Sequence, residues 1–432
     1  MTLRINRALS LTSTRVRKMP LGRQTQEAEA VAATNDYPGK WPLGSIVAAT
    51  MVIPSIAAAQ ALGTPHQYSP IQPDLGPGTS IASPRNMPAF VSFGWLDYKD
   101  KQPDLDRIRV LTPSVAIGLP VEDRWYLRAS ALVDTVTGST PRYHSAVSGA
   151  SMMADKRRAV ELRVDRSFDG FTVGVSANRS IENDFKSSSI ALRSTWTSED
   201  RNQSLSLSLA SRQDRIGSVN DPSLAESRAS NEFAISLTQL TSPRDAVQIS
   251  LWHSEGQGFF SDPYKLPDIR PRSRYQSAFI ARWNHYFLPL DMPLRFSGRY
   301  YKDSFGVKSV TLQFEPVFLQ SSDLEIAPIF RLYHQDAAWF YYNPLFKYSG
   351  VPLPSDFFSN PPLALSADQR LSSFGAATVG ARATVRLRAN YTFNVSLQHY
   401  EQRAGWHWFS KGSRGLEPLQ ARFLQIGLTK SF

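Results

Sequence analysis

The chain has 432 residues, 48 Lys and Arg against 37 Asp and Glu, and no cysteine. The lack of cysteine excludes disulfide scaffolds, thiolate metal sites, iron–sulfur clusters and cysteine nucleophiles. A bundle of membrane helices is excluded because it would need several apolar runs of about 20 residues, and the sequence offers one candidate at most. A membrane β-barrel stays compatible with a hydrophobic fraction of 42%, since its strands mix lipid-facing and water-facing residues.

The first part of the chain predicts export. A basic stretch ends at Lys40, an apolar run covers residues 41–59, and small residues surround the end of that run. A positive flank, a short apolar segment and an A-x-A site are typical of a secretory signal peptide. We therefore predict an N-terminal extension and signal peptide over residues 1–61, cleaved after Ala61 or Ala59. A membrane anchor is the alternative, but Pro and Gly interrupt the apolar run and no charged stop-transfer cluster follows it.

The rest of the chain divides into a lead-in and a long patterned region. Residues 62–88 are rich in Pro, Gly and Ser without a regular period, which predicts an extended periplasmic lead-in. From residue 89 onward apolar and polar residues alternate, as Leu205, Leu207 and Leu209 do with the serines between them. Because successive strand side chains point to opposite faces, each segment has one apolar and one polar face. The pattern predicts strands near 89–99, 106–119, 123–136, 156–167, 171–182, 186–198, 201–213, 229–241, 245–256, 273–287, 292–302, 306–319, 323–335, 369–387, 389–402 and 418–432.

The connections between these segments fall into two classes by position. Every second one is a tight turn, as at 167–170 and 242–244, whereas the others include long loops such as 257–272 and 336–368. A soluble β-sandwich also alternates polar and apolar residues, but it has no reason to keep short and long connections on opposite sides. Short turns on one side and longer loops on the other are typical of an outer-membrane barrel. The predicted fold class is therefore all-β, a transmembrane antiparallel β-barrel of about 16 strands over residues 89–432.

The end of the chain adds a second signal for this fold. Leu424, Ile426, Leu428 and Phe432 share one face of the last segment, a pattern that resembles the C-terminal strand read by the outer-membrane assembly machinery. Lys430 departs from that pattern, although a long basic side chain can snorkel to the water interface. Aromatic residues at strand ends on one side of the barrel predict an interfacial girdle: Trp125, Phe171, Trp196, Trp283, Phe287 and Phe432.

Several stretches resemble a bacterial family known only as a domain of unknown function and predicted to form outer-membrane barrels. The similarity covers most of the chain after the signal, and its clearest pieces are residues 134–139, 182–187, 299–303, 331–341 and 366–371. The family usually has Tyr where this chain has Phe185. The resemblance implies the fold and the location but no activity. Genes of such proteins often neighbour flavin-transfer and thioredoxin-like genes, so the resemblance also implies an envelope redox or lipoprotein partner as one alternative.

Catalytic and metal chemistry is weakly indicated. The seven histidines are scattered without H-x-x-H or H-E-x-x-H spacing, so we predict no metal site. We also predict no catalytic residue, no cofactor and no enzyme activity. An outer-membrane hydrolase stays a distant alternative, because a Ser–His–acid triad is a spatial arrangement. Asp134, Glu182, Asp184 and Asp303 lie at strand–loop junctions, where turn and cap roles are commoner than a divalent cation site.

The polar face of the predicted barrel is rich in arginine. Nine cations against four anions would line a lumen with positive potential and favour anionic solutes. The alternative is that the arginines form ladders with acids that fill and stiffen the barrel. The basic candidates are Arg128, Arg163, Arg193, Arg282, Arg295, Arg299, Arg331, Arg382 and Arg386, and the acidic ones are Glu161, Asp165, Glu315 and Glu325.

The loop over residues 336–368 is rich in aromatic residues and proline. It predicts either a constriction folded into the barrel, with Trp339, Phe340, Tyr341 and Phe346 as candidates, or an outward binding surface. Packing against neighbouring loops is the third interpretation, and the commonest use of such residues.

These patterns favour a pore or transport channel in the bacterial outer membrane, with anion preference and gating by the 336–368 loop. The alternative is a structural or docking barrel for an envelope redox or lipoprotein partner, without free conductance. The expected surroundings are outer-membrane lipid, lipopolysaccharide bound by cations near the outer rim, and the outer-membrane assembly machinery, with no nucleic acid.

Overall fold

The computed structural model describes residues 87–103, 105–139, 152–265, 267–342 and 362–432. The predicted signal peptide and nearly all of the lead-in lie outside these ranges. In the part of the chain that the structure describes, no helix has the length and the apolar character to cross a membrane.

The described chain forms sixteen long strands in sequence order. They are β1 Phe90–Gln102, β2 Leu105–Val121, β3 Trp125–Ser139, β4 Met152–Ser167, β5 Phe171–Ile181, β6 Phe185–Thr197, β7 Gln203–Ile216, β8 Glu226–Ser242, β9 Asp245–Gly258, β10 Ser273–Phe287, β11 Met292–Asp303, β12 Lys308–Pro316 with its continuation Phe318–Leu319, β13 Leu324–Gln335, β14 Phe374–Leu387, β15 Tyr391–Arg403 and β16 Leu419–Ser431.

Each strand pairs with the next in antiparallel fashion, and the first strand closes the sheet on the last. Phe90 of β1 is opposite Gly118 of β2 on one side and Ser431 of β16 on the other. Closure matters because an unpaired backbone group in hydrocarbon costs several kcal/mol, so a membrane sheet must leave no edge. The predicted sixteen-stranded antiparallel barrel is confirmed.

The two faces of the wall differ as the alternation predicts. Leu162, Leu209 and Leu397 are 63, 52 and 59% exposed on the outer face, whereas Ser176 and Gln398 are buried on the inner face. A band of apolar side chains turned outward is what a lipid bilayer requires of a barrel. We call the end with the short hairpins the turn end and the opposite end the loop end. Five of the six aromatics predicted for the turn-end girdle are exposed, namely Trp125, Phe171, Trp196, Trp283 and Phe432, and other exposed aromatics such as Trp339 and Phe409 lie at the loop end.

The strand predicted at 369–387 begins later than expected, at Phe374. Residues Gln369–Leu371 form a single 3₁₀ turn instead, because the Asp368 side chain accepts a hydrogen bond from the Arg370 backbone N–H at 3.0 Å. An Asp that bonds its own local backbone competes with strand pairing. A smaller difference is that Val121, predicted in a turn, is paired with Trp125 in the β2–β3 hairpin.

The last strand accommodates the lysine that departs from the assembly pattern. Leu428 and Phe432 are exposed on the outer face, with Leu424 and Ile426 half-buried on the same face. The Lys430 Nζ donates to the Ala389 backbone oxygen and lies 4.7 Å from the ring centre of Tyr391. The ammonium group therefore reaches the turn end along aromatic rings, as a snorkelling lysine does. Recognition by the assembly machinery stays a prediction.

Candidate functional site

The inner wall near the turn end carries a ladder of alternating charge. Arg295, Glu315, Glu325 and Arg382 come from the four consecutive strands β11 to β14. The Arg382 Nη2 is 2.5 Å from a Glu315 carboxylate oxygen, and the Arg295 Nη1 is 3.6 Å from Glu325 and 4.0 Å from Glu315. Two cations thus face two anions along the wall. This part of the predicted lumen is a ladder and not an unbalanced positive surface.

Other predicted lumen residues also bond along the wall. The Arg163 side chain meets Asp165, two positions along β4, at 2.8 Å, and the Arg331 Nε donates to Gln313 of the adjacent strand at 2.6 Å. Arg282 donates in the same way to Gln248 across the β9–β10 pair.

The remaining lumen candidates are placed by strand register and ring contacts. Arg128 lies 5.8 Å from the ring centre of Phe90, and Arg299 lies 5.0 Å from that of Tyr301. Arg193 and Glu161 hold the inward positions of β6 and β4 that the alternation assigns to them. Arg386 sits at the rim of the turn end, where its Nη1 donates to the Ser322 backbone oxygen at 3.1 Å.

Toward the loop end the inner wall contains buried ion pairs that the sequence did not single out. Arg228 meets Asp214 at 2.5 Å, Arg212 meets Glu232 at 3.0 Å, and the Arg157 Nε donates to Asp134 at 2.6 Å. Arg274 and Asp303 pair in the same way, at 2.5 Å. Of the residues that we placed in turn or cap roles, Asp134 is a partner of arginine, whereas Asp303 both pairs with Arg274 and accepts a hydrogen bond from the Val307 backbone N–H of the β11–β12 turn at 3.0 Å.

Loop residues enter the mouth of the barrel at this end. Phe305, from the β11–β12 turn, is fully buried; its ring centre is 5.1 Å from that of Phe340 and 6.0 Å from that of Phe260. These rings belong to one buried apolar cluster with inward-facing wall residues such as Trp252. Space for the indole of Trp252 comes from small neighbours on the adjacent strands, Ala234 and Ala278.

The predicted constriction residues divide into three groups. Phe340 is 4% exposed, and Tyr341 packs against the same cluster. Trp339 is 63% exposed and lies at the edge of the cluster, with its ring centre 5.0 Å from that of Phe340. Phe346 lies outside the described residues. The first part of the loop packs against the inward-facing cluster, whereas a constriction and a function in gating stay predictions.

Six charged side chains lock the folded-in loops together, and we call them the ionic cluster: Asp262, Lys265, Asp268, Arg270, Asp368 and Arg370. Arg270 donates to Asp268 at 2.9 Å and to Asp368 at 2.7 Å. Lys265 meets Asp368 at 3.0 Å, and Arg370 meets Asp262 at 2.9 Å. Three carboxylates thus balance three cations, and the pairing of Asp268–Ile269 with Leu365–Ser366 joins the same two loops through their backbones.

The pKa values of this cluster follow from burial and from neighbouring charge. Burial alone would raise the pKa of Asp368, but Arg370, Lys265 and Arg270 hold it well below its ordinary value. For Asp268 burial outweighs the attraction of Arg270, so its pKa is raised. Burial also lowers the pKa of Lys265. Asp368 is therefore the anion that holds the three cations of the cluster together.

The loop between β9 and β10 also reaches back toward an earlier part of the wall. The Tyr264 hydroxyl donates to the Asp184 carboxylate and accepts a hydrogen bond from the Val219 backbone N–H at 2.9 Å. The loop is thereby tied to the β5–β6 and β7–β8 connections. Asp184 thus has a side-chain partner in another loop.

A third group of polar residues lies on the outer face of the wall at the loop end. His334, Asp336 and His407 bring one ligand atom each within 4.8 Å of one another. The spacing rule for metal motifs missed them because His334 and His407 are 73 positions apart. The local sequence His334-Gln335-Asp336 was the one available signal.

Comparison with known proteins adds a family and a set of similar folds. The chain is similar to a bacterial polysaccharide outer membrane secretin (9% identity, TM-score 0.45, 80% of this chain and 98% of that one). It is also similar to CdiB from Acinetobacter baumannii (9%, 0.45, 78% and 60%) and to the outer membrane protein opdK from Pseudomonas aeruginosa (8%, 0.40, 79% and 99%). No curated protein matches the sequence significantly. Residues 220–415 match the family model described as "Protein of unknown function (DUF3570)", which confirms the resemblance to an uncharacterised family over that part of the chain. The similar pieces at 134–139 and 182–187 lie outside the match.

Proposed function

We propose that the protein is a narrow channel in the bacterial outer membrane, with a preference for small anionic solutes. The orientation follows the rule for such barrels, with the short turns in the periplasm and the longer loops outside. The proposal assigns no catalytic site to the barrel.

The observation that carries the proposal is the direction of the inner-wall contacts. Arg163 bonds Asp165 on the same strand, Arg331 of β13 bonds Gln313 of the neighbouring β12, and Arg382 of β14 reaches across β13 to Glu315 of β12. Side chains that bond along the wall, and not to the opposite side of the barrel, leave the centre of the lumen to water. A barrel of sixteen strands is also wide enough for an aqueous channel, whereas side chains can fill one of about eight.

The narrowing at the loop end limits the size of the solute. Phe260, Phe305 and Phe340 enter the mouth, and the ionic cluster holds their loops in place. The cluster is formally neutral, so selectivity by charge falls to the arginines of the wall, nine against four acids among the predicted lumen residues. We propose that a solute from outside is selected by size at the aromatic mouth first, and by charge along the arginines of the wall afterwards.

One observation favours the alternative of a docking barrel without free conductance. Asp368 is fully buried, at 0% exposure, and in this alternative its ion pairs serve to fix one arrangement of the loops. Loops that close the mouth permanently would show the same buried ion pairs. A partner from the envelope redox or lipoprotein systems would then use the barrel as a platform.

Solute uptake by proteoliposomes separates the two proposals. The full chain, reconstituted in lipid vesicles, is expected to admit small anions such as gluconate several-fold faster than cations of equal size. Arg282→Gln together with Arg331→Gln removes two wall cations and should reduce that ratio toward one. Arg179→Gln, an arginine on the outer face that bonds Ser188, is the matched control and should leave the ratio unchanged. Vesicles that stay impermeable to every solute would support the docking barrel.

A further inference from the structure

We infer that His334, His407 and Asp336 form a binding site for a divalent transition-metal ion, of the class to which zinc belongs, on the outer face of the wall at the loop end. This inference concerns a site outside the lumen and does not depend on the proposed channel.

The first observation is a histidine buried on the exposed face. His334 shares the outward face of β13 with Phe330 and Leu332, which are 46 and 50% exposed, yet His334 is only 4% exposed. The connection between β15 and β16 covers it. The ring centres of His407 and Trp408 lie 4.9 and 4.6 Å from that of His334. The loop has therefore folded back over this histidine, where an ordinary lipid-facing residue would remain open.

The second observation is the convergence of three basic atoms. The His334 Nδ1 is 3.4 Å from the His407 Nε2, which is 3.0 Å from an Asp336 carboxylate oxygen. Ligands about 2.0–2.1 Å from a tetrahedral ion stand roughly 3.3 Å apart, close to both distances. A single N–H on the His407 Nε2 can donate well to only one of its two neighbours, the His334 Nδ1 or the Asp336 oxygen. A cation between them is attracted by all three atoms.

The surroundings supply the support that a metal-bound histidine needs. The Ser410 hydroxyl is 2.9 Å from the His407 Nδ1, and the Phe409 N–H is 3.2 Å from the same nitrogen. When Nε2 binds a metal, Nδ1 carries the proton and donates it to the Ser410 oxygen, an arrangement that fixes the ring and increases its basicity. Without the metal, Nδ1 accepts from the Phe409 N–H instead.

The exposure of the three ligands leaves a coordination position open. The side chain of Asp336 is 48% exposed, whereas that of His407 is 2% exposed. A bound ion would thus be held from the protein side by two imidazoles and reached from the solvent side by water or a solute. Imidazole ligands favour zinc, copper, nickel and cobalt over calcium and magnesium. The ion would also tie the end of β13 to the connection between β15 and β16.

Titration of the chelator-treated full chain in detergent with Zn²⁺ alone, followed by calorimetry, tests the site. One ion is expected to bind per chain, and Co²⁺ in its place should give visible absorption bands of a tetrahedral or five-coordinate ion. His407→Asn and His334→Asn should each weaken Zn²⁺ binding at least tenfold, and Ser410→Ala by roughly 10- to 100-fold. His285→Asn is the matched control, because His285 bonds Asp245 at 2.8 Å and has no imidazole among the partners shown. Its Zn²⁺ affinity should equal that of the unaltered protein.

Two results would overturn the inference. One is unchanged Zn²⁺ affinity in the His334→Asn, His407→Asn double variant, with the folded barrel verified by its heat-dependent migration on a gel. The other is labelling of Ser410 by a serine-reactive probe that added Zn²⁺ does not inhibit, since Asp336, His407 and Ser410 would then act as the relay of a hydrolase.

Discussion

The wall near the turn end and the loops folded in at the loop end hold their charges in different ways. Near the turn end, a cation such as Arg382 of β14 bonds an acid two strands along the wall, Glu315 of β12, and both are part of the regular wall. At the loop end, Arg270 bonds Asp368, which lies 98 positions away on another loop. The first arrangement belongs to a wall that strand pairing closes without it, whereas the second adds to a single two-residue strand pairing between the loops, Asp268–Ile269 with Leu365–Ser366. The energetic consequence of losing a charge should therefore differ between the ends.

The largest effect is expected from Asp368→Ala. The substitution leaves Arg270, Arg370 and Lys265 buried without their shared anion, and breaking a buried pair costs about 3–5 kcal/mol. Hydrogen exchange in the loop between β9 and β10 should accelerate strongly, while exchange in the wall strands stays slow. Glu226→Ala is the control, because its partner Arg272 is 62% exposed and such a pair contributes about 0–1 kcal/mol. Equal exchange in the two variants would show that the ionic cluster does not hold the loops.

Truncation of the aromatic contact should come next in size. Phe340→Ala removes a ring packed on Phe305 in the mouth, and Phe→Ala in a core costs about 3–5 kcal/mol, less where the site collapses. Trp339→Ala removes a larger ring that is 63% exposed, and we expect a much smaller change. Exchange rates of residues 362–373 measure both effects. A larger response to Trp339→Ala would mean that the loop is held from its outer side.

Acidification should produce the smallest effect. Because the pKa of Asp368 is lowered in the folded protein, its contribution is present above the unfolded pKa of about 3.9 and is lost as pH falls through the lower folded value. The difference in thermal midpoint between the unaltered protein and Asp368→Asn should therefore stay constant from pH 7 to 5 and shrink only below about pH 4. A difference in thermal midpoint that shrinks already between pH 7 and 5 would mean that a group other than Asp368 holds the cluster together.

The sequence predicted the features that depend on the two-residue period of the strands and on the alternation of short and long connections. The alternation around Leu207 identified the two faces of the strands, and the order of short and long connections identified the strand number and the two ends of the barrel. Both patterns can be read directly along the chain. The inward arginines followed from the same alternation. Their partners did not, since a period of two says which face Arg295 occupies and nothing of how close Glu325 comes to it.

The loop end was less predictable for a physical reason. The contacts of Asp368 with Arg270, and of His334 with His407, join segments that are 98 and 73 positions apart. No periodic signal links such segments, because each loop takes its conformation from what it packs against. Local chemistry misled the prediction in one place, where Asp368 caps a 3₁₀ turn and delays β14 to Phe374.

Single-channel recording in a planar bilayer under a salt gradient tests the central claim most directly. The account predicts discrete conductance steps with a reversal potential on the anion side, which Arg282→Gln with Arg331→Gln moves toward zero. A correctly folded, inserted barrel that gives no conductance steps would contradict the channel and leave the docking barrel.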